Sequence, residues 1–307
     1  MKLTVAHFVT SIMVCSFALL AGGAEPASPG LAPVSGGSGC GKSLAADLAV
    51  GKTTTRAIAS GGSNRSYVLH VPAIYDAGKP APVVLNFHGF GGNAAQQNDI
   101  SGFVPMSDRE GFILVSPDGG GAWRFLQSAR DVNTAFVRDV VATVSTELCV
   151  DPKRIFAAGK SQGGFMSSWL GCAAADVVAA IAPVSGIYEP TENCGPIPII
   201  EFHGQSDSLI PFRGGRVLGL GSFGGAVAVM EKWAHTNGCT GTPEAVQITP
   251  HVQRVTYRDC KAATVHVITE AGHTWPGTSV REGDNSLPAD LPASELIWDF
   301  FKAHPKQ

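Results

Sequence analysis

Apolar positions along the chain follow two rhythms. Short runs rich in β-branched residues occur at 67–71, 83–87, 112–116, 155–158, 178–184, 197–202 and 265–269, and each reads as a strand. Between them lie longer stretches with apolar residues three and four apart, which predict helices over 94–109, 131–148, 163–172, 226–236 and 293–302. Several strand segments are apolar almost throughout, so both of their faces are expected to be covered. Strands of that kind alternating with helices predict an α/β class, with a mostly parallel central sheet and helices on both faces.

Length and composition allow one such core: the chain has 307 residues, 44 % of them hydrophobic. The first 24 residues break the pattern. Lys2, an apolar run from Phe8 to Leu20 and the small residues Ala21 to Ala24 read as a secretory signal peptide. Residues 25–39 are rich in Pro, Gly, Ser and Ala and read as a flexible lead, leaving 40–307 as the folded domain. After the signal segment no apolar run is long enough to span a bilayer, so no membrane partner is expected. Cys15 lies inside the apolar run behind the large Val14, which argues against a lipidated cysteine.

Export changes the meaning of the cysteines. Beyond Cys15 the chain keeps Cys40, Cys149, Cys172, Cys194, Cys239 and Cys260, an even set in an oxidising compartment, which predicts three disulfides. Fifteen pairings are possible. The locally bracketed Cys172/Cys194 and Cys239/Cys260 are the expected pairs, which leaves Cys40 with Cys149. No Cys-x-x-Cys or close Cys/His set suggests a metal site. A formal net charge of -3 without a basic run gives no footprint for nucleic acid.

The chemistry concentrates where predicted strands end. Gly159-Lys160-Ser161-Gln162-Gly163 is G-x-S-x-G between a strand and a helix, the context a nucleophile elbow requires. Ser161 is the candidate nucleophile. Gly272-His273-Thr274-Trp275-Pro276-Gly277 follows the last predicted strand and supplies a general base, His273. His203-Gly204-Gln205-Ser206-Asp207 supplies the orienting acid, Asp207, and completes the chain order Ser, Asp, His of the α/β-hydrolase fold. Asp118, in Ser116-Pro117-Asp118-Gly119, is a rival acid whose setting is that of a turn former. The loop Phe87-His88-Gly89-Phe90-Gly91-Gly92 matches one half of an oxyanion hole, with the backbone N–H groups of Phe90 and Gln162 as donors and His88 as a brace. Trp275 and Trp123 are candidate aromatic walls for an acyl or aryl group.

Two further motifs are set aside. Gly36 to Ser43 satisfies the phosphate-loop pattern G-x-x-x-x-G-K-S, but it follows Pro29 and Pro33 in the flexible lead instead of a buried strand. Asn64-Arg65-Ser66 is a glycosylation sequon that matters only in a eukaryotic source.

Ser38 to Lys42, the His88-Gly89 loop, Ser116 to Gly119, Gly159 to Gly164, His203 to Asp207, Asn237-Gly238-Cys239 and Gly272 to Gly277 together resemble the secreted feruloyl esterase and polyhydroxybutyrate-depolymerase-like esterases. Within this resemblance Lys160 departs from the hydrophobic residue or histidine more often found at the elbow. The resemblance implies carboxylic-ester hydrolysis through an acyl-enzyme with no metal or organic cofactor, on an ester substrate that can be polymeric; the signal peptide predicts an extracellular enzyme, and a monomer is expected. Feruloyl esters of plant polysaccharide are the preferred substrate and polyhydroxyalkanoate the alternative. A secreted serine peptidase and a non-catalytic protein keeping the fold are the more distant readings.

Overall fold

The computed structural model describes residues 38–123, 127–217, 221–280 and 291–307. The expected signal peptide and all but the end of the expected lead therefore lie outside the described residues.

The described chain runs β1 (Lys52–Ser60), β2 (Ser63–Val71), β3 (Ala81–Phe87), α1 (Ala94–Ser101), α2 (Phe103–Glu110), β4 (Ile113–Pro117), α3 (Gln127–Glu147), β5 (Val150–Lys160), α4 (Gln162–Ala173), β6 (Ala180–Val184) and β7 (Ile199–Gly204). It continues through β8 (Gly215–Val217), β9 (Gly221–Phe223), α5 (Ala226–Thr236), β10 (Gly241–Thr249), β11 (Val252–Arg258), β12 (Thr264–Thr269) and α6 (Ala293–Ala303). Among these, ten strands form one sheet in the order β1-β2-β4-β3-β5-β6-β7-β12-β11-β10. The middle of the sheet, from β4 to β12, is parallel. The β1-β2 pair closes one edge and β10-β11 the other, both antiparallel.

Alternation of side chains across the strands sorts the core into two layers. On one face Leu85, Val115, Ala157 and Ile181 pack with Val140 of α3, Phe165 of α4 and Trp233 of α5. On the other, Val84, Leu114, Phe156 and Ala182 pack with Phe103 and Met106 of α2 and Ile297 and Phe301 of α6. Phe156 and Phe301 stack with centroids 4.7 Å apart.

Every strand expected in the centre is present, and the differences lie at edges and joints. The helix expected over 94–109 is two helices, because Gly102 takes a left-handed φ of 62° and ends α1 before α2 begins. The strands β1, β8, β9, β10 and β11 lie outside the expected set, with β8 and β9 forming a separate two-stranded sheet. β1 carries exposed Thr53 and Thr55 and half-buried Thr54 and Arg56, and β10 is almost wholly exposed, so neither shows the apolar signal of a central strand. The stretch between Asp207 and the last strand spends residues 241–258 on widening the sheet. Among the described residues no helix is long and apolar enough to cross a membrane.

The disulfides present are Cys40–Cys149, Cys172–Cys194 and Cys239–Cys260. The first explains the phosphate-loop look-alike: Gly39 donates to the Ser145 carbonyl and Lys42 Nζ to the Thr146 carbonyl, so the segment is fastened to the end of α3. This bridge spans 109 residues. A cross-link closing so long a loop removes much chain entropy from the unfolded state, so replacing Cys40 and Cys149 together by alanine is expected to cost about 4 kcal/mol. Urea unfolding measures it, and an unchanged midpoint would assign the fastening to the hydrogen bonds alone.

Candidate active site

The parallel strands bring their carboxyl ends to one edge of the sheet, where ligands of open α/β sheets bind. Ser161 occupies the joint between β5 and α4 with φ 57° and ψ -119°, a conformation that costs a non-glycine residue strain. Hydrogen bonds hold it there: Ser161 N donates to the Val184 carbonyl at 2.8 Å, and the Ser161 carbonyl accepts from Phe165 N at 3.0 Å. The helix that starts at Gln162 aims its N-terminal dipoles toward the serine.

Close backbone approach makes this joint possible. A Cβ on Gly163 would sit 1.9 Å from the Phe87 carbonyl oxygen and 2.9 Å from that of His88, so only glycine lets α4 start against the end of β3. A Cβ on Gly89 would likewise come within 3.3 Å of the Ser161 Cβ. Gly163→Ala must push α4 away from the loop that carries Gly89 and Phe90. The expected result is a loss of about 3 kcal/mol of stability together with loss of serine labelling by a fluorophosphonate. Near-native values of both would mean that the backbone absorbs the methyl group.

Asp207 and His273 meet because β7 and β12 are parallel neighbours in register, Gly204 opposite Thr269. The loops leaving them are stitched together by Gln205 N to the Thr269 carbonyl and Ser206 N to the Ala271 carbonyl. His273 Nδ1 lies 2.8 Å from Asp207 Oδ2. The other carboxylate oxygen, Oδ1, accepts from Leu209 N at 2.9 Å and Ile210 N at 2.8 Å. Asp207 is therefore both turn cap and histidine partner. Both residues are nearly buried, and Ser185 Oγ ties the histidine loop to the end of β6 through the Thr274 carbonyl.

A cleft of about 880 Å³ opens over this edge, lined among others by Gly89, Phe90, Lys160, Ser161, Leu209 and His273. Its lip is apolar: the Phe90 side chain is 71 % exposed and that of Leu209 62 %. Asp118 neither lines the cleft nor partners His273; it accepts from Gly120 N and Ala94 N, holds a turn and lies 3.9 Å from His88 Nε2.

His88 is buried beneath the glycine loop. Its Nε2 accepts from Gly119 N at 2.9 Å, so Nδ1 carries the proton and donates to the Gly89 carbonyl at 2.8 Å. Burial holds it below the usual histidine range, against the opposing pull of that carbonyl and of Asp118. A neutral ring making both bonds braces the loop.

No protein-family model matches the chain. It is 32 % identical over 261 residues to feruloyl esterase B of Piromyces equi, covering 78 % of this chain but 45 % of that protein, so it spans less than half the relative's length. It is 32 % identical over 257 residues to the probable feruloyl esterase C of Aspergillus oryzae, covering 78 % of this chain and 85 % of that protein. The chain belongs to the feruloyl esterase-like α/β-hydrolase family. By family it is a carboxylic-ester hydrolase. The feruloyl esterase D of Neurospora crassa is a further relative, 28 % identical over 294 residues and covering 90 % of this chain and 93 % of that one. Among solved structures an acetyl xylan esterase from Aspergillus awamori superposes with a TM-score of 0.60 at 13 % identity, covering 81 % of this chain and 99 % of that one, which supports the fold.

Within this family member the two tryptophans proposed as substrate walls are placed differently from expectation. Each is 1 % exposed, and neither lines the cleft. Trp123 donates from Nε1 to the His88 carbonyl and from its backbone N to Gln162 Oε1, so it packs beneath the glycine loop. Trp275 donates to Ser294 Oγ and meets the Phe103 ring edge-on at 5.7 Å, in the core. An indole N–H needs a partner when buried, and both partners lie inside the fold. What the sequence reading overlooked is a buried polar group around His203, Glu201 and His266. The available signal was two ionisable residues, Glu201 and His203, inside an otherwise apolar strand, where charge is rarely found unpaired.

Proposed function

We propose that this enzyme hydrolyses feruloyl esters through Ser161, His273 and Asp207. The observation that carries the reading is one cleft lined by Ser161, strained at the start of α4, and by His273, whose other face is held by Asp207. His273 takes the Ser161 proton as the hydroxyl attacks the ester carbonyl, and Asp207 stabilises the imidazolium that forms. The alcohol leaves with that proton and an acyl-enzyme remains. Water, deprotonated by the same histidine, then releases the acid. The backbone N–H groups of Phe90 and Gln162 stabilise the oxyanion in both steps.

Three observations favour a hydroxycinnamoyl acyl group. The cleft has room for an aromatic acid, its lip at Phe90 and Leu209 is apolar, and the relatives are named feruloyl esterases. Three disulfides fit a working place outside the reducing cytosol, and we place the enzyme outside the cell. The test is initial rate on methyl ferulate beside a suspension of short-chain polyhydroxybutyrate, with Ser161→Ala as control. Serine-dependent turnover of the ferulate alone is expected. Turnover of the polyester alone would make the enzyme a depolymerase, and ester turnover surviving Ser161→Ala would remove the serine from the mechanism.

A further inference from the structure

Behind the Asp207 turn, on the side away from the cleft, lies a closed group of ionisable side chains that the proposed reaction does not touch. Glu201 and His203 sit two residues apart on β7 and so share a face. His266 joins them from β12, where it stands opposite Glu201 in the parallel register. All three are at most 1 % exposed. His203 Nδ1 lies 2.8 Å from Glu201 Oε1, its Nε2 lies 2.8 Å from the Ile210 carbonyl oxygen, and Asp207 Oδ2 is 3.6 Å from that same Nε2.

These contacts determine the ring's protons. A carbonyl oxygen only accepts, so Nε2 carries a hydrogen and donates it to Ile210. Nδ1 faces the Glu201 carboxylate, and when that carboxylate is ionised it only accepts, so Nδ1 then carries the second hydrogen. With Glu201 ionised the ring is an imidazolium between two carboxylates. The hydrogen bond to Ile210 has a mechanical consequence too, because Ile210 N is one of the two donors to Asp207 Oδ1. His203 thus holds from below the turn that holds Asp207 from above.

Resting on the triad reading above, we propose that His203 is a positioning residue of the reaction: a permanently protonated ring, anchored by Glu201, that fixes the Asp207 turn and places a buried positive charge beside the carboxylate that orients His273.

The surroundings allow such a charge. Burial works against the proton on His203, but attraction to Glu201, the hydrogen bonds to Glu201 and Ile210, and Asp207 together hold it above the usual histidine range. Burial likewise opposes ionisation of Glu201, while its neighbours His266 and His203 hold it below the usual carboxylate range. His266 Nε2 comes within 2.9 Å of Glu201 Oε2, off the line of a hydrogen bond. From β11, Tyr257 is pushed up to about 12 by burial and by the charges of Glu231 and Glu201, so it remains a neutral phenol. The rings of Phe212 and Phe223 flank His203 with centroids at 6.0 and 6.5 Å.

The first measurement is nitrogen-15 NMR of the native protein labelled at histidine, held at about pH 8, where an ordinary imidazole is neutral. A ring with both nitrogens protonated, assigned to His203 by its Overhauser contacts to Phe212 and Phe223, is expected. A neutral His203 would overturn the proposal. This readout needs no esterase activity, so it stands or fails separately from the assignment of Ser161, His273 and Asp207. Glu201→Gln, which keeps the shape but removes the anchoring charge, is expected to abolish the second ring proton at the same pH, and its persistence would count against the proposal. His203→Gln is then compared with the native enzyme across pH. Its kcat is expected to fall about 100-fold through misplacement of the acid–base pair, with KM little changed. The acid limb of kcat/KM is expected to move about one unit higher, because a cation that opposed protonation nearby is gone. A lower rate with an unmoved acid limb would reduce His203 to a structural prop and overturn the electrostatic role. If His203→Gln does not fold, the NMR of the native ring decides.

Discussion

Ser161→Ala is expected to lower kcat on methyl ferulate by about 10⁶-fold while leaving the folding midpoint nearly unchanged. Rate falls so far because the acyl-enzyme route needs an oxygen at this position, and no second route is available when the remaining groups act as one unit. Stability changes little because the half-buried hydroxyl is small. The backbone strain at φ 57° passes to alanine, which is no better suited to it than serine. Steady-state rates on methyl ferulate, alongside a urea titration, give both numbers. A loss below about tenfold would show that Ser161 is not the nucleophile.

Asp207→Asn is expected to cost about 10⁴-fold in kcat with the fold retained. The reason lies in how the two carboxylate oxygens are used. Oδ1 is committed to the backbone N–H groups of Leu209 and Ile210, so an asparagine will keep its carbonyl oxygen there. Its amide NH₂ then faces His273 Nδ1 where the carboxylate Oδ2 now lies. An N–H cannot accept an N–H, so His273 must turn to the tautomer with Nδ1 bare and the proton on Nε2, which leaves Ser161 without a base. Rates on methyl ferulate across pH, with circular dichroism as the check on folding, provide the measurement. A variant within about tenfold of the native rate would mean that Asp207 serves the turn alone.

The two variants differ in how much of their rationale was legible before the fold. For Ser161, a glycine two residues before and two after, a strand on one side and a helix on the other were all visible in one contiguous stretch. For Asp207 the sequence offered a strand followed by a polar turn, a signal that Asp118 also gives, and only the chain order Ser, Asp, His separated the two. The tryptophans mark the limit in the other direction. Their nearness in sequence to the glycine loop and the histidine loop suggested a substrate wall, yet the Trp123 and Trp275 indole N–H groups found partners inside the fold. Aromatic residues close to a site in sequence carry no direction, and direction decides whether they meet ligand or core. The edge strands β1 and β10 escaped for a related reason: they are held by backbone hydrogen bonds to a neighbour, which leave no apolar pattern.

By itself the sequence determined what depends on contiguous residues. It set the α/β class through the alternation of strand and helix patterns, the elbow through glycines that allow a tight turn, and the even cysteine set. It also narrowed the pairing to a preferred set, because two of the three bridges close short loops. Only the tertiary structure decided what depends on strand order. His273 and Asp207 are 66 residues apart and meet because β12 inserts beside β7. The same adjacency places His266 against Glu201, and so creates the buried charge group behind the turn. Contacts of that kind arise from how whole strands share a sheet, a global choice that no local run of side chains encodes on its own.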